Sequence, residues 1–351
     1  MSAAVTLGGR RVETGGDPFI IAEMSANHNG SLERALAIVD AAAAAGVQAL
    51  KIQTYTPDTM TLDLRHGEFM ISDPASLWKG RALYELYREA MTPWEWHGPI
   101  FARCREKGII GFSTPFDPTS VDFLEKENVP FYKIASFENT DLALIRKVSS
   151  TGKPVIISTG MTTLSELTEA VAAARGAGCR ELVLLKCTSV YPAEAREANV
   201  LTVPDMARRF GCPVGLSDHT PGIGAAVAAV AHGAAAVEKH FTLSRSDSGI
   251  DSAFSLEPAE MRSLVAESRR AHEALGRVTY EPTAKEKASL VFRRTLYVTR
   301  DIRTGEEITR ENVRAIRPGL GLPCREYETL LGRCAARDLK KGTALQWEHL
   351  R

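Results

Sequence analysis

The chain has 351 residues, enough for one large domain and a small one. Hydrophobic residues make up 44% and charged residues 25%, and 43 basic residues balance 43 acidic ones, so no net field draws the protein to nucleic acid or an anionic membrane. No run reaches the ~18 apolar residues of a membrane span, Met1 to Gly16 lacks the apolar core of a secretory signal, and six scattered cysteines without a C-x-x-C pair predict reduced thiols and a cytoplasmic location.

After a short β extension over about residues 1–16, strand patterns alternate with helix patterns eight times. Strands are expected at Phe19–Glu23, Ala49–Gln53, Ile109–Ser113, Phe131–Ile134, Val155–Ser158, Leu182–Lys186, Val214–Leu216 and Ala235–Glu238. They are short and nearly continuously apolar, as strands buried on both faces are. Helices are expected at Leu32–Ala45, Trp94–Lys107, Ser120–Glu127, Leu142–Ser150, Leu164–Ala177, Pro204–Phe210, Gly222–Ala231 and Pro258–Leu275, with Gly46, Gly108, Gly152 and Gly178 as left-handed stops. Eight such units predict an α/β fold, a (β/α)8 TIM barrel over residues 1–280. An open doubly wound sheet seldom needs eight regular repeats.

Two segments depart from the repeat. Tyr55 to Thr92 is far longer than the usual βα loop and carries Trp78, Lys79, Arg81, Tyr84 and Tyr87, which suits either a lid or a packed excursion. Residues 281–290, with the charged run Ala284–Ser289, resemble a linker. Residues 291–351 read as a small β-rich domain with a strand at Leu296-Tyr297-Val298 and a turn at Thr304-Gly305-Glu306.

The carboxyl ends of barrel strands open on one face, so their polar residues are candidate site residues. They are Glu23; Lys51 and Gln53; Ser113 and Thr114; Lys133 and Ser136; Ser158 and Thr159; Lys186, Thr188 and Ser189; Ser217, Asp218 and His219; and Glu238, Lys239 and His240. A buried lysine is costly unless it meets an anion or a carboxylate. Four strand-end lysines with hydroxyls therefore predict a receptor for a small, highly charged phosphate or carboxylate. There is no G-x-x-x-x-G-K-[ST] loop to hold a nucleoside triphosphate. His219 and His240 end neighbouring strands, and two neutral imidazoles suit Mn, Fe, Co or Zn while leaving positions open for water or substrate. Glu23, Glu238 and Asp251 are candidate proton carriers or orienting groups. A Schiff-base aldolase working through a strand-end lysine is a rival reading.

Several motifs carry a resemblance. Phe19-Ile20-Ile21-Ala22-Glu23, Asn27-His28-Asn29-Gly30, Lys51-Ile52-Gln53-Thr54, Ser113-Thr114-Pro115-Phe116, Ile157-Ser158-Thr159-Gly160-Met161, Ser217-Asp218-His219-Thr220 and Glu238-Lys239-His240-Phe241 resemble the sialic acid synthases, over essentially the whole chain. Arg317-Pro318-Gly319-Leu320-Gly321 looks like that family's antifreeze-like (SAF) domain. Tyr55-Thr56-Pro57-Asp58-Thr59-Met60-Thr61, Ser76-Leu77-Trp78-Lys79-Gly80-Arg81, Trp94-Glu95-Trp96-His97 and Lys133-Ile134-Ala135-Ser136-Phe137-Glu138 are similar to its pseudaminic acid branch. Ser189 stands where the N-acetylneuraminate enzymes usually carry Asn.

The resemblance implies condensation of phosphoenolpyruvate with an open-chain amino sugar, here 2,4-diacetamido-2,4,6-trideoxy-altrose. N-acetylneuraminate or legionaminate synthesis by the same mechanism is the alternative. It implies a divalent metal on His219 and His240, with Mn2+ expected and Mg2+ or Co2+ as alternatives. Phosphoenolpyruvate would be held by Lys51, Thr114, Lys133, Ser136, Ser158, Ser189 and Ser217. The sugar would meet Gln53, Tyr191, Glu238, Asp251 and Arg317, with Glu23 and Asp251 among the catalytic groups. Arg317 would arrive from a partner subunit in a domain-swapped homodimer.

Overall fold

Alternation within each short strand explains the architecture. The computed structural model describes residues 4–74, 76–247 and 249–351. A hairpin of β1 (Ala4–Leu7) and β2 (Arg10–Glu13) precedes eight parallel strands: β3 (Phe19–Glu23), β4 (Ala49–Thr54), β5 (Ile110–Pro115), β6 (Tyr132–Ile134), β7 (Val155–Ser158), β8 (Leu182–Cys187), β9 (Val214–Asp218) and β10 (Ala236–His240). They close into a barrel when β10 pairs with β3, the expected TIM barrel.

One face of each strand packs outward against helices. Ile20, Ala22, Leu50, Ile52, Ile157, Leu184, Leu216 and Val237 belong to that shell. The other face fills the barrel with Phe19, Ile21, Ala49, Phe112, Phe131, Ile156, Val183, Leu185 and Ala236, and Val5, Leu7 and Val12 of the hairpin join this inner core. Toward the carboxyl ends the inward positions turn polar. The floor is therefore a packed apolar plug and the mouth is the site.

The Leu32–Ala45 helix starts at Ser31, whose side chain accepts from the Arg34 amide, and stops at Gly46 in the left-handed region. Gly108, Gly152 and Gly178 likewise have positive φ. The helix expected from Trp94 opens instead as a 3-10 turn, Trp94–Trp96, and runs as an α-helix over His97–Glu106. The helix expected from Ser120 begins at Pro118, because Asp117 caps it by accepting from the Thr119 and Ser120 amides.

The long excursion holds two short helices, Pro57–Met60 and Leu83–Ala90, with Met70 bridged to Ala82. Trp78 Nε1 donates to the Ile250 carbonyl at 3.2 Å, beside Asp251.

The chain divides into two compact units at Gly276/Arg277. In the second, the charged run expected to be a linker forms a helix, Ala284–Ser289, opened by a reciprocal Thr283/Glu286 cap. β11 (Thr295–Val298) and β12 (Val313–Ile316) pair antiparallel around Leu296, Val298, Ile308, Val313, Leu330 and Leu345. Among the described residues no helix is long and apolar enough to cross a membrane, and all six cysteines are free.

Candidate active site

Parallel register places Glu23 opposite Lys51, His240 opposite Glu23, and Glu238 opposite Ser217. The inward side chains meet at the mouth. Lys51 Nζ lies 2.7 Å from Glu23 Oε2 and 3.8 Å from Glu238 Oε1, and it donates to Thr114 Oγ1 at 3.2 Å. Lys133 Nζ donates to Glu238 Oε1 at 3.1 Å, and Ser217 Oγ lies 3.4 Å from the same oxygen. Gln53 Nε2 bridges Glu23 Oε1 at 3.0 Å and Ser25 Oγ at 2.9 Å. Glu23, Lys51, Lys133 and Glu238 are all buried.

These contacts push the groups apart. Burial raises Glu23 above the usual carboxylate range even against the Lys51 charge. Burial also acts on Glu238, but Lys133 and Lys51 outweigh it and hold that carboxylate low and ionised. Burial works against the Lys51 ammonium, yet Glu23 and Glu238 outweigh it and raise its pKa. For Lys133 burial prevails over Glu238 and lowers it. Asp251 is raised by burial, against the Ser25 hydroxyl and the Ala26 amide, which donates to it at 3.3 Å.

The structure corrects one expectation. The four strand-end lysines do not converge. Lys51 and Lys133 alternate with inward residues, whereas Lys186 and Lys239 alternate with the outward Leu184 and Val237. Lys239 is buried against Asp218 at 2.6 Å on that outer side. Lys186 donates to Thr188 Oγ1 at 2.7 Å. Of the four lysines expected to form an anion receptor, two, Lys51 and Lys133, therefore converge at the mouth.

Hydroxyls complete it. Ser136 Oγ accepts the Gly160 N–H at 3.1 Å, and a Cβ on Gly160 would lie 2.8 Å from Ser136 Oγ and overlap Ser189 Oγ. Ser136, Gly160 and Ser189 thus touch one another. Ser158 Oγ is buried and has no partner among the described residues, an orientation that costs free energy unless something polar meets it.

The imidazoles of His219 and His240 lie 5.4 Å apart, centroid to centroid, and the Tyr191 ring covers His219 at 4.3 Å. His219 Nδ1 sits 2.9 Å from the Thr188 carbonyl. A carbonyl only accepts, so Nδ1 carries hydrogen, and in the neutral imidazole Nε2 is then the lone pair, the orientation seen in metal-ligating histidines. Burial disfavours charge on His219, but contact with the Cys187 sulfur outweighs it and raises its pKa. His240 is neutral: burial, His219 and the nearby lysines drive it well below its ordinary value, and its Nδ1 is buried without a partner among the described residues. Among the described residues no third His, Cys, Asp or Glu joins them as a metal cluster. The pair fits a divalent ion whose other positions go to water or substrate oxygens.

Glu138, Ser25 and Cys187 were not picked out by the sequence. Burial raises Glu138 to about 7, and the charge of Lys133 bears on it. An acid past a strand end has no spacing that marks it. Arg317 lies exposed in the second unit.

Fold and site together define a barrel enzyme that handles an anionic substrate beside a pair of imidazoles. The chain matches the NeuB family model over residues 38–280 and the SAF domain model over residues 293–351, and it belongs to the NeuB family. It is 44% identical to a pseudaminic acid synthase of Campylobacter jejuni, covering 93% of this chain and 95% of the relative. It is 41% identical to a pseudaminic acid synthase of Helicobacter pylori, covering 93% and 96%. A solved N-acetylneuraminic acid synthetase from Leptospira borgpetersenii, in complex with citrate, superposes with TM-score 0.73 at 32% identity, over 83% of this chain and 96% of that one.

Proposed function

We propose that the chain condenses phosphoenolpyruvate with 2,4-diacetamido-2,4,6-trideoxy-altrose and water to give pseudaminic acid and phosphate. The observation that carries this reading is the inward cluster of Lys51, Lys133, Glu23 and Glu238 beside two imidazoles, in a chain similar throughout to pseudaminic acid synthases.

Lys51, Lys133 and the hydroxyls of Thr114, Ser136, Ser158, Ser189 and Ser217 bind the phosphate and carboxylate. The Lys51 and Lys133 ammonium groups face the anion, and burial favours the protonated form of Glu23 beside them. The residues fit a divalent cation, Mn2+ in this reading, held by His219 and His240; when bound it supplies Lewis-acid polarisation of the sugar aldehyde. C3 of phosphoenolpyruvate attacks that aldehyde carbon and forms the new C–C bond. Glu23 gives its proton to the alkoxide oxygen left by the attack, making the alcohol, then takes one from the water that adds at C2. The tetrahedral C2 centre re-forms its carbonyl, the bond to phosphate breaks, and the hydroxyl proton leaves with phosphate. Glu238, kept ionised by its lysines, and Asp251 orient sugar hydroxyls, with Gln53 and Tyr191 lining the pocket. Preset donors of this kind contribute several kcal/mol of barrier lowering. Free thiols throughout the chain support a reducing, cytoplasmic setting.

The test is phosphate release from phosphoenolpyruvate with Mn2+ and each of three sugars: the altrose derivative, N-acetylmannosamine and the legionaminate precursor. Turnover of the altrose derivative, abolished by EDTA and restored by Mn2+, is expected. Turnover of N-acetylmannosamine alone overturns the sugar assignment.

A further inference from the structure

The long excursion ends in an aromatic feature that the chemistry above does not use. Trp78 is half-buried. Its indole N–H is held by the Ile250 carbonyl at 3.2 Å, one residue from Asp251, and its backbone N–H donates to Ser76 Oγ at 3.2 Å. Its ring lies 6.3 Å from that of Tyr191, which lies 4.3 Å from His219 and 5.1 Å from Phe254. Phe254 in turn packs 5.0 Å from His240. An apolar wall of three aromatic rings therefore rises from the imidazole pair, and Trp78 is its outermost member.

We propose that Trp78 is a specificity-determining residue, its indole packing against the methyl-bearing far end of the sugar and disfavouring a hydroxymethyl there. This rests on the functional reading above. The aldehyde end goes to the imidazoles, so the far end extends along the aromatic wall. The indole N–H is already engaged by Ile250, so Trp78 offers the incoming sugar its ring faces and no free donor for a hydroxyl. A wall of this kind gains from a methyl group and leaves a hydroxyl unsatisfied. The bond to Ile250 fixes the ring and ties the excursion to the loop carrying Asp251, so the wall is preset rather than assembled by the sugar.

The experiment compares parent, Trp78→Phe and Trp78→Ala in kcat/KM for the 6-deoxy diacetamido sugar, for its 6-hydroxy counterpart and for a 4-hydroxy analogue lacking the second acetamido group. Parent turnover is read first. A parent that refuses the deoxy sugar overturns the functional reading and this inference with it. In Trp78→Ala the deoxy sugar is expected to lose about 30-fold in kcat/KM, within the range of a methyl in an apolar pocket, with the KM for phosphoenolpyruvate unchanged. Loss confined to the 6-deoxy/6-hydroxy comparison places the C6 methyl on the ring and supports the proposal; loss confined to the acetamido comparison places a different methyl there and overturns it. Trp78→Phe is expected to keep most of the selectivity. Equal losses on all sugars, no loss, or a raised KM for phosphoenolpyruvate overturn it while leaving the reaction assigned. Tryptophan fluorescence gives a readout independent of turnover: the change on adding deoxy sugar is expected to vanish in Trp78→Phe, and its persistence overturns the contact.

Discussion

At Gly160 one added methyl group reaches the hydroxyls of Ser136 and Ser189 at once. Its φ is not in the left-handed region, so alanine meets no backbone strain there; the obstacle is a Cβ overlapping Ser189 Oγ and close to Ser136 Oγ. Both hydroxyls must then turn from the anion, and each hydrogen bond to a charged group is worth roughly 1.5–3 kcal/mol. Gly160→Ala is expected to raise the KM for phosphoenolpyruvate by about 100-fold or more, with little effect on thermal stability or the KM for sugar. Steady-state kinetics with each substrate varied in turn checks this, and an unchanged KM for phosphoenolpyruvate would falsify the cradle. Nothing in Ser158-Thr159-Gly160-Met161 alone says which hydroxyls meet Gly160, because Ser136 and Ser189 come from other strands. The lysines were more legible than they were read: period-two alternation with Leu184 and Val237 assigns Lys186 and Lys239 to the outer face.

Elements were legible where burial and caps agreed. β3 and β7 and the Leu32–Ala45 and Pro258–Leu275 helices match their sequence patterns end to end, because apolar runs bounded by Ser31, Gly46 or Pro258 leave little choice. Strands ran past their expected ends where polar residues stay in register in the barrel wall, as at Ser217-Asp218 and Lys239-His240. Apolar periodicity cannot follow a strand into its own active site. A buried polar chain on the outer side of β4 and β5 was also invisible to it. His97 Nε2 lies 2.8 Å from Thr54 Oγ1, which lies 2.6 Å from Ser113 Oγ, which donates to the Ile52 carbonyl at 3.0 Å. Burial pushes His97 down to about 4. The unfolded chain therefore binds a proton that the folded one refuses, so this contribution is fully present above about pH 6.5 and falls as pH drops toward 4, by on the order of 3 kcal/mol. His97→Ala is expected to cost about 2–4 kcal/mol near pH 7.5, through a cavity and an unsatisfied hydroxyl, and the gap between parent and variant is expected to narrow by pH 5. His28, shifted the same way, is present in both proteins and cancels. Denaturant titrations at the two pH values decide it, and a gap independent of pH rules it out.

At the scale of the whole molecule, the barrel unit carries the acids, lysines and imidazoles, while Arg317 belongs to the second unit. Its loop is stiff. A Cβ on Gly319 would lie 2.8 Å from the Leu290 carbonyl and one on Gly321 would overlap that of Leu296, so backbone packs on backbone and the exposed Arg317 is presented from a fixed base. An exposed arginine on a closely packed loop is suited to forked recognition of a carbonyl or carboxylate, and we propose that it reaches the sugar's acyl group in the barrel of a partner subunit. A two-fold dimer then has two sites, each needing His240 from one chain and Arg317 from the other. Arg317→Ala and His240→Ala are each expected to be nearly inactive alone. Unfolded, mixed in equal amounts and refolded, half the dimers are mixed, and each mixed dimer has one site with both side chains intact. Recovery of about a quarter of parental activity is expected from that symmetry. If Arg317 served its own barrel, every site in the mixture would lack one of the two groups and no activity would return.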